Sequence, residues 1–266
     1  MNELIQPITF DVFQPFDSIA HGVFTRLGGV SESPFDSLNL SSYQADDPAA
    51  VAENQRRAYG MFGRTTSQLV HANLKHGNHV ERVTTADHGA LPECDGLITN
   101  DVGCGLTMNF ADCGSIFLYD PKNHAIALGH AGWKGAIANV GGALVDGMVS
   151  QFGSDPADII AALGPCISVS RYEVDEPVIS EVHRAFPKWA DRLLSYHVDD
   201  NGERVGRPHF NLALANHIGL YESGVKDVAM PTHCTASRTD LFFSHRAEKG
   251  KTGRFGAIFI LNAAMR

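Results

Sequence analysis

The strongest constraint on the fold is a pair of apolar segments separated by one short turn. Ser115–Asp120 and His124–His130 have similar lengths and the composition of β-strands. Pro121-Lys122-Asn123, which lies between them, consists of residue types that favour turns. The sequence therefore predicts an antiparallel hairpin with a three- or four-residue connection.

The predicted hairpin brings a thiol close to an imidazole. Counting outward from a ladder that starts at His124 places Cys113 opposite His130 or Ala131. Directly opposed Cβ atoms lie about 4.5–5.5 Å apart, which allows a shared metal ion or a thiol–imidazole hydrogen bond. Asp112 beside the thiol could tune a metal ligand or accept a proton. The alternative interpretation makes Cys113 a small core residue and His130 a structural histidine.

The other segments predict an α+β fold, a single large domain over residues 1–266 with mixed or antiparallel sheets and flanking helices. Strands are predicted at Ile19–Thr25, Val80–Thr84, Gly96–Thr99, Gly105–Asn109, Asp158–Leu163 and Phe255–Leu261. Helices are predicted from Pro48 to about Phe62 and at Gly135–Phe152, Pro177–Phe186 and Asn211–Glu222.

Charge and hydropathy limit the possible environments and partners. The 266 residues carry a formal charge of -9, which argues against broad binding to nucleic acid because such binding needs clustered Lys and Arg. No run approaches the roughly 18–20 apolar residues that span a bilayer. Residues 1–20 contain no basic residue and do not resemble a signal peptide. We expect a soluble cytoplasmic protein that binds neither nucleic acid nor membranes.

The cysteine and histidine content favours chemistry at a site over a disulfide scaffold. Five cysteines are few and odd in number for 266 residues. Reduced thiols are then expected as core residues, ligands or nucleophiles. Thirteen histidines are consistent with a metal site or with acid–base chemistry but locate neither.

Six short motifs occur in an order that identifies a family. They are His21–Ser31, His76-Gly77, Ala111–Cys113, His130–Gly135, Gly164–Ile167 and Lys251–Arg254. Together they resemble the bacterial YfiH/YlmD family, formerly described as polyphenol oxidases or laccase-domain proteins. The resemblance extends over nearly the whole chain.

The resemblance implies a metal site. Its ligands are the histidine of His-Gly, the cysteine of Ala-Asp-Cys and the histidine of His-Ala-Gly-Trp, which are His76, Cys113 and His130 in this chain. Zinc suits three N/S ligands with an open fourth position, and copper is the alternative ion. Further candidate ligands are His71, His79 and Cys94.

The family resemblance also implies a purine nucleoside enzyme. The expected reaction is phosphorolysis of adenosine, inosine and methylthioadenosine to free base and ribose 1-phosphate, accompanied by adenosine deamination. A second hypothesis is a hydrolase or amidase that edits peptidoglycan precursors, with Cys113 as nucleophile and His130 as base. A copper polyphenol oxidoreductase is a weaker alternative, because the chain has no His-x-His pair. A non-enzymatic metal- or partner-binding domain is the remaining possibility.

The candidates for binding phosphate or substrate are mostly basic. Arg26, Lys134, Arg246 and Arg254 are the candidates for phosphate, and Asn39 is a candidate for a hydrogen bond to substrate. Arg246 and Arg254 lie in a basic, glycine-containing segment of an otherwise acidic chain, which favours an anion pocket. The alternative for this segment is a solvated loop.

Overall fold

The computed structural model describes residues 4–199, 201 and 203–263, and its α+β architecture confirms the predicted fold class. The helices are α1 (Pro48–Gly60), α2 (Trp133–Ile137), α3 (Val140–Phe152), α4 (Glu176–Ala185), α5 (Ala190–Leu193) and α6 (Leu212–Glu222). The strands are β1 (Ile19–Val23), β2 (Val70–His71), β3 (Val80–Arg82), β4 (Gly96–Thr99), β5 (Gly105–Phe110), β6 (Gly114–Asp120), β7 (Ala125–Ala131), β8 (Ile160–Leu163), β9 (Leu194–Val198), β10 (Arg204–Phe210), β11 (Asp227–Ala229) and β12 (Phe255–Leu261).

Two large mixed sheets and one hairpin contain all of these strands. The four-stranded sheet has the order β1-β12-β5-β2, in which only the β2–β5 pair is parallel. The six-stranded sheet has the order β11-β8-β6-β7-β4-β3 and is parallel only at its two edges. Strands β9 and β10 form a separate antiparallel hairpin.

The main hydrophobic core lies between the two large sheets. Leu106 and Phe259 of the four-stranded sheet share one buried cluster with Phe117 and Leu128 of the six-stranded sheet. Helix α3 covers the other face of the six-stranded sheet, and α1 covers the other face of the four-stranded sheet. Because β6, β7 and β12 are buried along their whole length, apolar residues predominate in their sequences without a strict alternation with polar residues.

The predicted helix at Gly135–Phe152 is wrong in one respect, because two helices replace it. Asn139 adopts a left-handed backbone conformation with φ of 55°, which ends α2. Its side-chain oxygen then accepts a hydrogen bond from the Gly142 amide and caps α3. Strands β2 and β11 and the β9–β10 hairpin were not predicted from the sequence, because these strands are short or exposed.

The hairpin itself is confirmed, but its predicted register is wrong. The ladder begins at Asp120 opposite Ala125, so that Ser115, not Cys113, lies opposite His130. The reason lies in the four-residue turn, where the Asp120 carboxylate accepts backbone hydrogen bonds and His124 adopts a positive φ of 50°. His124 therefore belongs to the turn and does not pair, which moves the expected partner of Cys113 beyond Ala131.

No helix in the described ranges is long and apolar enough to cross a membrane.

A buried histidine stabilises the β1 side of the core. His21 packs among the rings of Phe10, Phe13, Phe117 and Phe259. Its Nε2 atom accepts a hydrogen bond of 2.8 Å from the Phe10 amide, which requires that this nitrogen carries no proton. Burial lowers the pKa of His21 to about 4.

We expect this histidine to make the protein less stable in acid. Between its ordinary pKa of 6.5 and the folded value of about 4, the unfolded chain binds the proton more readily, so stability falls as the pH is lowered. This difference in pKa lowers the free energy of unfolding by about 3 kcal/mol when the pH is brought down to 4. Urea unfolding of His21→Phe at several pH values should show a shallower pH dependence than the parent. Replacing the exposed His183 with Gln is the control, and an equal slope for parent and His21→Phe contradicts the prediction.

Candidate metal centre

Three side chains from separate parts of the sequence meet at one end of the β6–β7 hairpin. His76 lies in the loop after β2, Cys113 immediately precedes β6, and His130 lies near the end of β7. One ligand atom of each lies within 4.8 Å of those of the other two. The thiol and the imidazole therefore meet as the sequence predicts, despite the shifted register.

The shifted register places Cys113 beside Gly132. A Cβ atom at Gly132 would lie only 2.8 Å from the Cys113 sulfur and 3.9 Å from the His76 ring. Gly132 has a φ of -79° and a ψ of -176°, a backbone conformation that other residues also adopt. The glycine is thus needed for the space that it leaves to the sulfur and not for its backbone freedom.

The imidazole of His130 is the most buried group of the three. It is 3% exposed and stacks on the Phe110 ring at a centroid distance of 5.5 Å. Burial works against its protonation, but the charges of Cys113 and Asp95 outweigh this effect and raise the pKa of His130 to about 9. The surroundings of the ring therefore stabilise positive charge beside Cys113, whether a second ring proton or a metal ion bound in its place carries that charge.

The imidazole of His76 is exposed and lies edge-on to His130, at a centroid distance of 5.0 Å. Although the residue is exposed, neighbouring groups partly desolvate its ring, and this desolvation and the nearby charge of His130 lower the pKa of His76. The backbone of His76 is left-handed, with φ of 60°. Its amide donates a 2.8 Å hydrogen bond to the carboxylate of Asp95.

The three side chains fit a transition-metal ion with one open position. Two imidazole nitrogens and one thiolate sulfur form a donor set typical of zinc, with bonds of about 2.0–2.3 Å. Ligand atoms within 4.8 Å of one another need only small side-chain movements to reach such bonds. Within the described ranges this is the one group of three or more such residues close enough to hold an ion.

The cluster lies in a cavity of about 720 Å³. Trp133, Ile167, Tyr172 and Leu212 supply an aromatic and aliphatic wall. The remaining lining is mainly polar and consists of Ser41, Tyr43, Gln44, His71, Ala72, Asn73, Leu74, His76, Asn109, Ala111, Asp112, Cys113, His130, His245, Arg246 and Arg254. The cavity therefore combines an apolar group, whose four members belong to one hydrophobic cluster, with many polar residues, as small-molecule sites commonly do.

Two of the predicted phosphate-binding residues, Arg246 and Arg254, line this cavity. The Arg246 guanidinium donates to the Glu173 carbonyl and lies over the Tyr172 ring. That of Arg254 donates to two backbone carbonyls of its own segment. Neither guanidinium makes an ion pair with any residue that the structure describes, so both can accept an anion as partner.

The carboxylate of Asp112, a predicted catalytic residue, is buried and fully engaged. One oxygen accepts hydrogen bonds from the hydroxyls of Thr235 (2.6 Å) and Ser244 (2.8 Å). The other accepts the Arg246 amide at 2.7 Å. These contacts anchor the segment that carries Arg246 next to Cys113.

Arg26 and Asn39 lie outside the cavity lining. The Arg26 guanidinium is 3.0 Å from Glu248 and 3.5 Å from Asp36, so its charge is already balanced. Asn39 is fully buried, and its side-chain oxygen accepts a hydrogen bond from the Arg254 amide. Both residues support the loop that carries the cavity arginines.

The remaining candidates for phosphate binding or metal binding lie outside the three-residue cluster. Lys134 is exposed and does not line the cavity, with its Nζ 5.6 Å from the Trp133 ring centroid. His71 lines the cavity but is not part of the three-residue cluster. His79 pairs with Glu81 at the surface, and Cys94 is fully buried in the main core. None of the three rival ligands joins the cluster.

Asp95 and Gly132 are the residues that sequence reasoning missed. Asp95 immediately precedes β4, and the pairing of β4 with β7 brings it next to His130. A carboxylate directly before a short, mainly apolar strand was the available signal, since a buried charge requires partners. Gly132 lies within the His130–Gly135 motif, but its contact with Cys113 depends on the hairpin register.

The fold and the cluster define an α+β protein with a histidine–cysteine metal-type centre in a small-molecule cavity. A family model described as multi-copper polyphenol oxidoreductase laccase matches residues 20–262. The chain belongs to this family, which confirms the resemblance that the six motifs indicate.

Named relatives and solved structures agree with this assignment. The chain is 36% identical to purine nucleoside phosphorylase YlmD of Bacillus subtilis, over 88% of this chain and 85% of that protein. It is 35% identical to a purine nucleoside phosphorylase of Deinococcus radiodurans, over 91% and 88%. The crystal structure of Bacillus licheniformis hypothetical protein YfiH has a TM-score of 0.86 at 30% identity, covering 92% of this chain and 93% of that one.

We predict that Gly132→Ala disturbs the centre because the new methyl group displaces the Cys113 sulfur. The added methyl group would clash with Cys113, so we expect a loss of about 1–3 kcal/mol in unfolding free energy together with less zinc bound per chain. Urea unfolding and elemental analysis measure the two effects. Gly60→Ala is the control, because no atom lies within 4 Å of the new methyl group. Full zinc content in Gly132→Ala would contradict the prediction.

Proposed function

We propose that the protein is a zinc-dependent purine nucleoside phosphorylase. It converts adenosine, inosine and methylthioadenosine, with phosphate, to the free base and ribose 1-phosphate. The observation that carries this proposal is one cavity that joins a histidine–cysteine cluster to two arginines, neither of which has an ion-pair partner among the described residues. The relatives named purine nucleoside phosphorylase, which align over most of this chain, support the same reaction.

The two arginines are suited to hold the phosphate. Phosphorolysis breaks the bond between the sugar carbon C1′ and the base nitrogen and joins a phosphate oxygen to C1′. Arg246 and Arg254 supply guanidinium donors that match phosphate oxygens. Burial lowers the pKa of Arg254, and an anion beside it compensates for that loss of solvation.

The histidine–cysteine cluster is suited to hold zinc. His76, Cys113 and His130 would be the ligands, and the bound ion supplies Lewis-acid activation at its open position. The Nδ1 atom of His130 faces Asp95, which leaves Nε2 for the metal. We also propose adenosine deamination at the same centre, since removal of the purine amino group needs such activation.

The apolar wall is suited to hold the base. Trp133, Ile167, Tyr172 and Leu212 belong to one hydrophobic cluster and offer apolar surface against which a purine ring would pack. Asp112 anchors the Arg246 segment and so fixes where the Arg246 guanidinium would hold the phosphate.

Because the residues that line the cavity extend from Ser41 to Arg254, we treat residues 1–266 as one catalytic domain.

A cytoplasmic location fits this activity. All five cysteines are free thiols, as expected in a reducing compartment that holds nucleosides and phosphate.

A Cys-His hydrolase or amidase acting on peptidoglycan precursors is the second candidate function. The partly exposed Cys113 lines the cavity beside His130, which is the arrangement of an activated thiol nucleophile. A multicopper oxidoreductase is less well supported, because the described ranges offer one cluster of ligands for one ion.

We predict that Arg254→Gln raises the KM for phosphate. Loss of charge-assisted hydrogen bonds costs about 1.5–3 kcal/mol, which corresponds to about a 10-fold or larger increase. The measurement is phosphate-dependent release of hypoxanthine from inosine by zinc-loaded protein. Lys251→Gln is the matched control, because this exposed lysine lies in the same loop but outside the cavity. Equal KM values for the two variants exclude this phosphate site, and no release by the parent contradicts the proposed function.

Alkylation separates the metal centre from a thiol nucleophile. Zinc bound to the Cys113 sulfur should protect it from iodoacetamide until a chelator removes the ion. Peptide mass spectrometry measures modification at Cys113, and Cys113→Ser gives the background from the other four thiols. Rapid modification of Cys113 in zinc-loaded protein favours the hydrolase instead.

A further inference from the structure

Asp95 is a fully buried carboxylate beside the centre. It is 0% exposed and lies between the loop that carries His76 and the strand that carries His130. Its backbone joins both neighbours, since its amide donates to the His79 carbonyl at 2.9 Å and its carbonyl accepts the His130 amide at 2.8 Å. A buried carboxylate at such a position needs several partners to offset its lost hydration.

The carboxylate fixes the loop of the first histidine. One oxygen accepts the His76 amide at 2.8 Å and the other accepts the Gly77 amide at 2.7 Å. Two successive amides can converge on one carboxylate because His76 has a left-handed backbone. The ring of His76 is exposed, so the contacts of Asp95 hold its backbone in place where core packing does not.

The same carboxylate faces the second histidine. The Nδ1 atom of His130 lies 3.6 Å from the Asp95 oxygen that accepts the His76 amide. That nitrogen is buried and has no hydrogen-bond partner in the part of the chain that the structure describes. Asp95 is therefore the nearest acceptor for a proton on Nδ1, and a proton there leaves the lone pair on Nε2.

We infer that Asp95 is the positioning residue of the metal centre, which orients two of the three ligands before an ion binds. This inference rests on the zinc centre of the proposed function. Asp95 does not line the cavity and acts through His76 and His130. Loss of such an outer carboxylate typically weakens metal binding by about 10–100-fold.

A matched control exists in the same sheet. Asp120 is also 0% exposed, and its carboxylate accepts the successive amides of Lys122 (2.8 Å) and Asn123 (3.0 Å). It lies at the opposite end of β6 from Cys113. Asp120→Asn therefore reproduces the change in charge, burial and turn contacts without any contact to the centre.

The experiment measures zinc affinity by competition with a chromophoric chelator for the parent, Asp95→Asn and Asp120→Asn. We expect about 10–100-fold weaker binding for Asp95→Asn and unchanged binding for Asp120→Asn. Urea unfolding of each metal-free protein measures stability separately. Parent-like affinity in Asp95→Asn, or equal weakening in Asp120→Asn, overturns the inference.

Two further measurements distinguish positioning from a merely structural role. In a His76→Ala background, Asp95→Asn should weaken zinc binding less than it does in the parent, because one of its two targets is gone. The absorption spectrum of the cobalt-substituted protein should change in Asp95→Asn and not in Asp120→Asn. Should Asp95→Asn not fold, Asp95→Glu tests the same point, since it keeps the charge but moves the oxygens away from both histidines.

These outcomes are separate from those of the proposed function. Zinc affinity needs no nucleoside, so a parent that binds zinc but does not cleave inosine contradicts the phosphorylase and leaves the Asp95 test intact. A parent that binds no zinc overturns both the centre and the inference.

Discussion

The close approach of Cys113 to Gly132 is the contact on which the site depends. The hairpin ladder places these two residues side by side just beyond its last pair, Gly114 and Ala131. Because glycine leaves room for the sulfur, the thiol can lie within reach of His130 on the neighbouring strand. The strands that impose this geometry are buried on both faces, so packing of the main core holds the site at the same time.

Two buried carboxylates stabilise different sides of the site. Asp95 contacts the side that carries the histidines, and Asp112 contacts the segment that carries Arg246. A third carboxylate, that of Glu248, supports the segment between Arg246 and Arg254. It accepts hydrogen bonds from the Arg26 guanidinium, the Ser244 amide and the Thr252 hydroxyl. These carboxylates accept hydrogen bonds from backbone and side-chain groups and do not pair with Arg246 or Arg254. The two cavity arginines can therefore bind an anion although the chain as a whole is acidic.

The elements that the sequence predicted best are those with the strongest local signals. The bounds of β4 and β12 agree with prediction, since both are short apolar runs buried on both faces. The register of the β6–β7 hairpin was not predictable from composition. It depends on the Asp120 contacts in the turn and on the positive φ of His124, which no residue pattern in the turn specified.

For the site, the sequence indicated the cluster and two of the arginines but not their supports. Arg26 is a basic residue within one of the six motifs, and only the fold shows that Glu248, far along the chain, neutralises it. Asp95 was missed for the same reason, because its partners come from two different segments. Side-chain roles that depend on long-range pairing required the three-dimensional structure.

The unequal burial of the three cluster residues has a consequence for how the centre is filled. His130 belongs to a buried strand, and Cys113 adjoins it, whereas His76 is exposed on a loop. Displacement of that loop would open the cluster on one side and leave the paired strands unchanged. An ion held by this cluster would therefore enter and leave on the His76 side, through a local opening that does not require the chain to unfold.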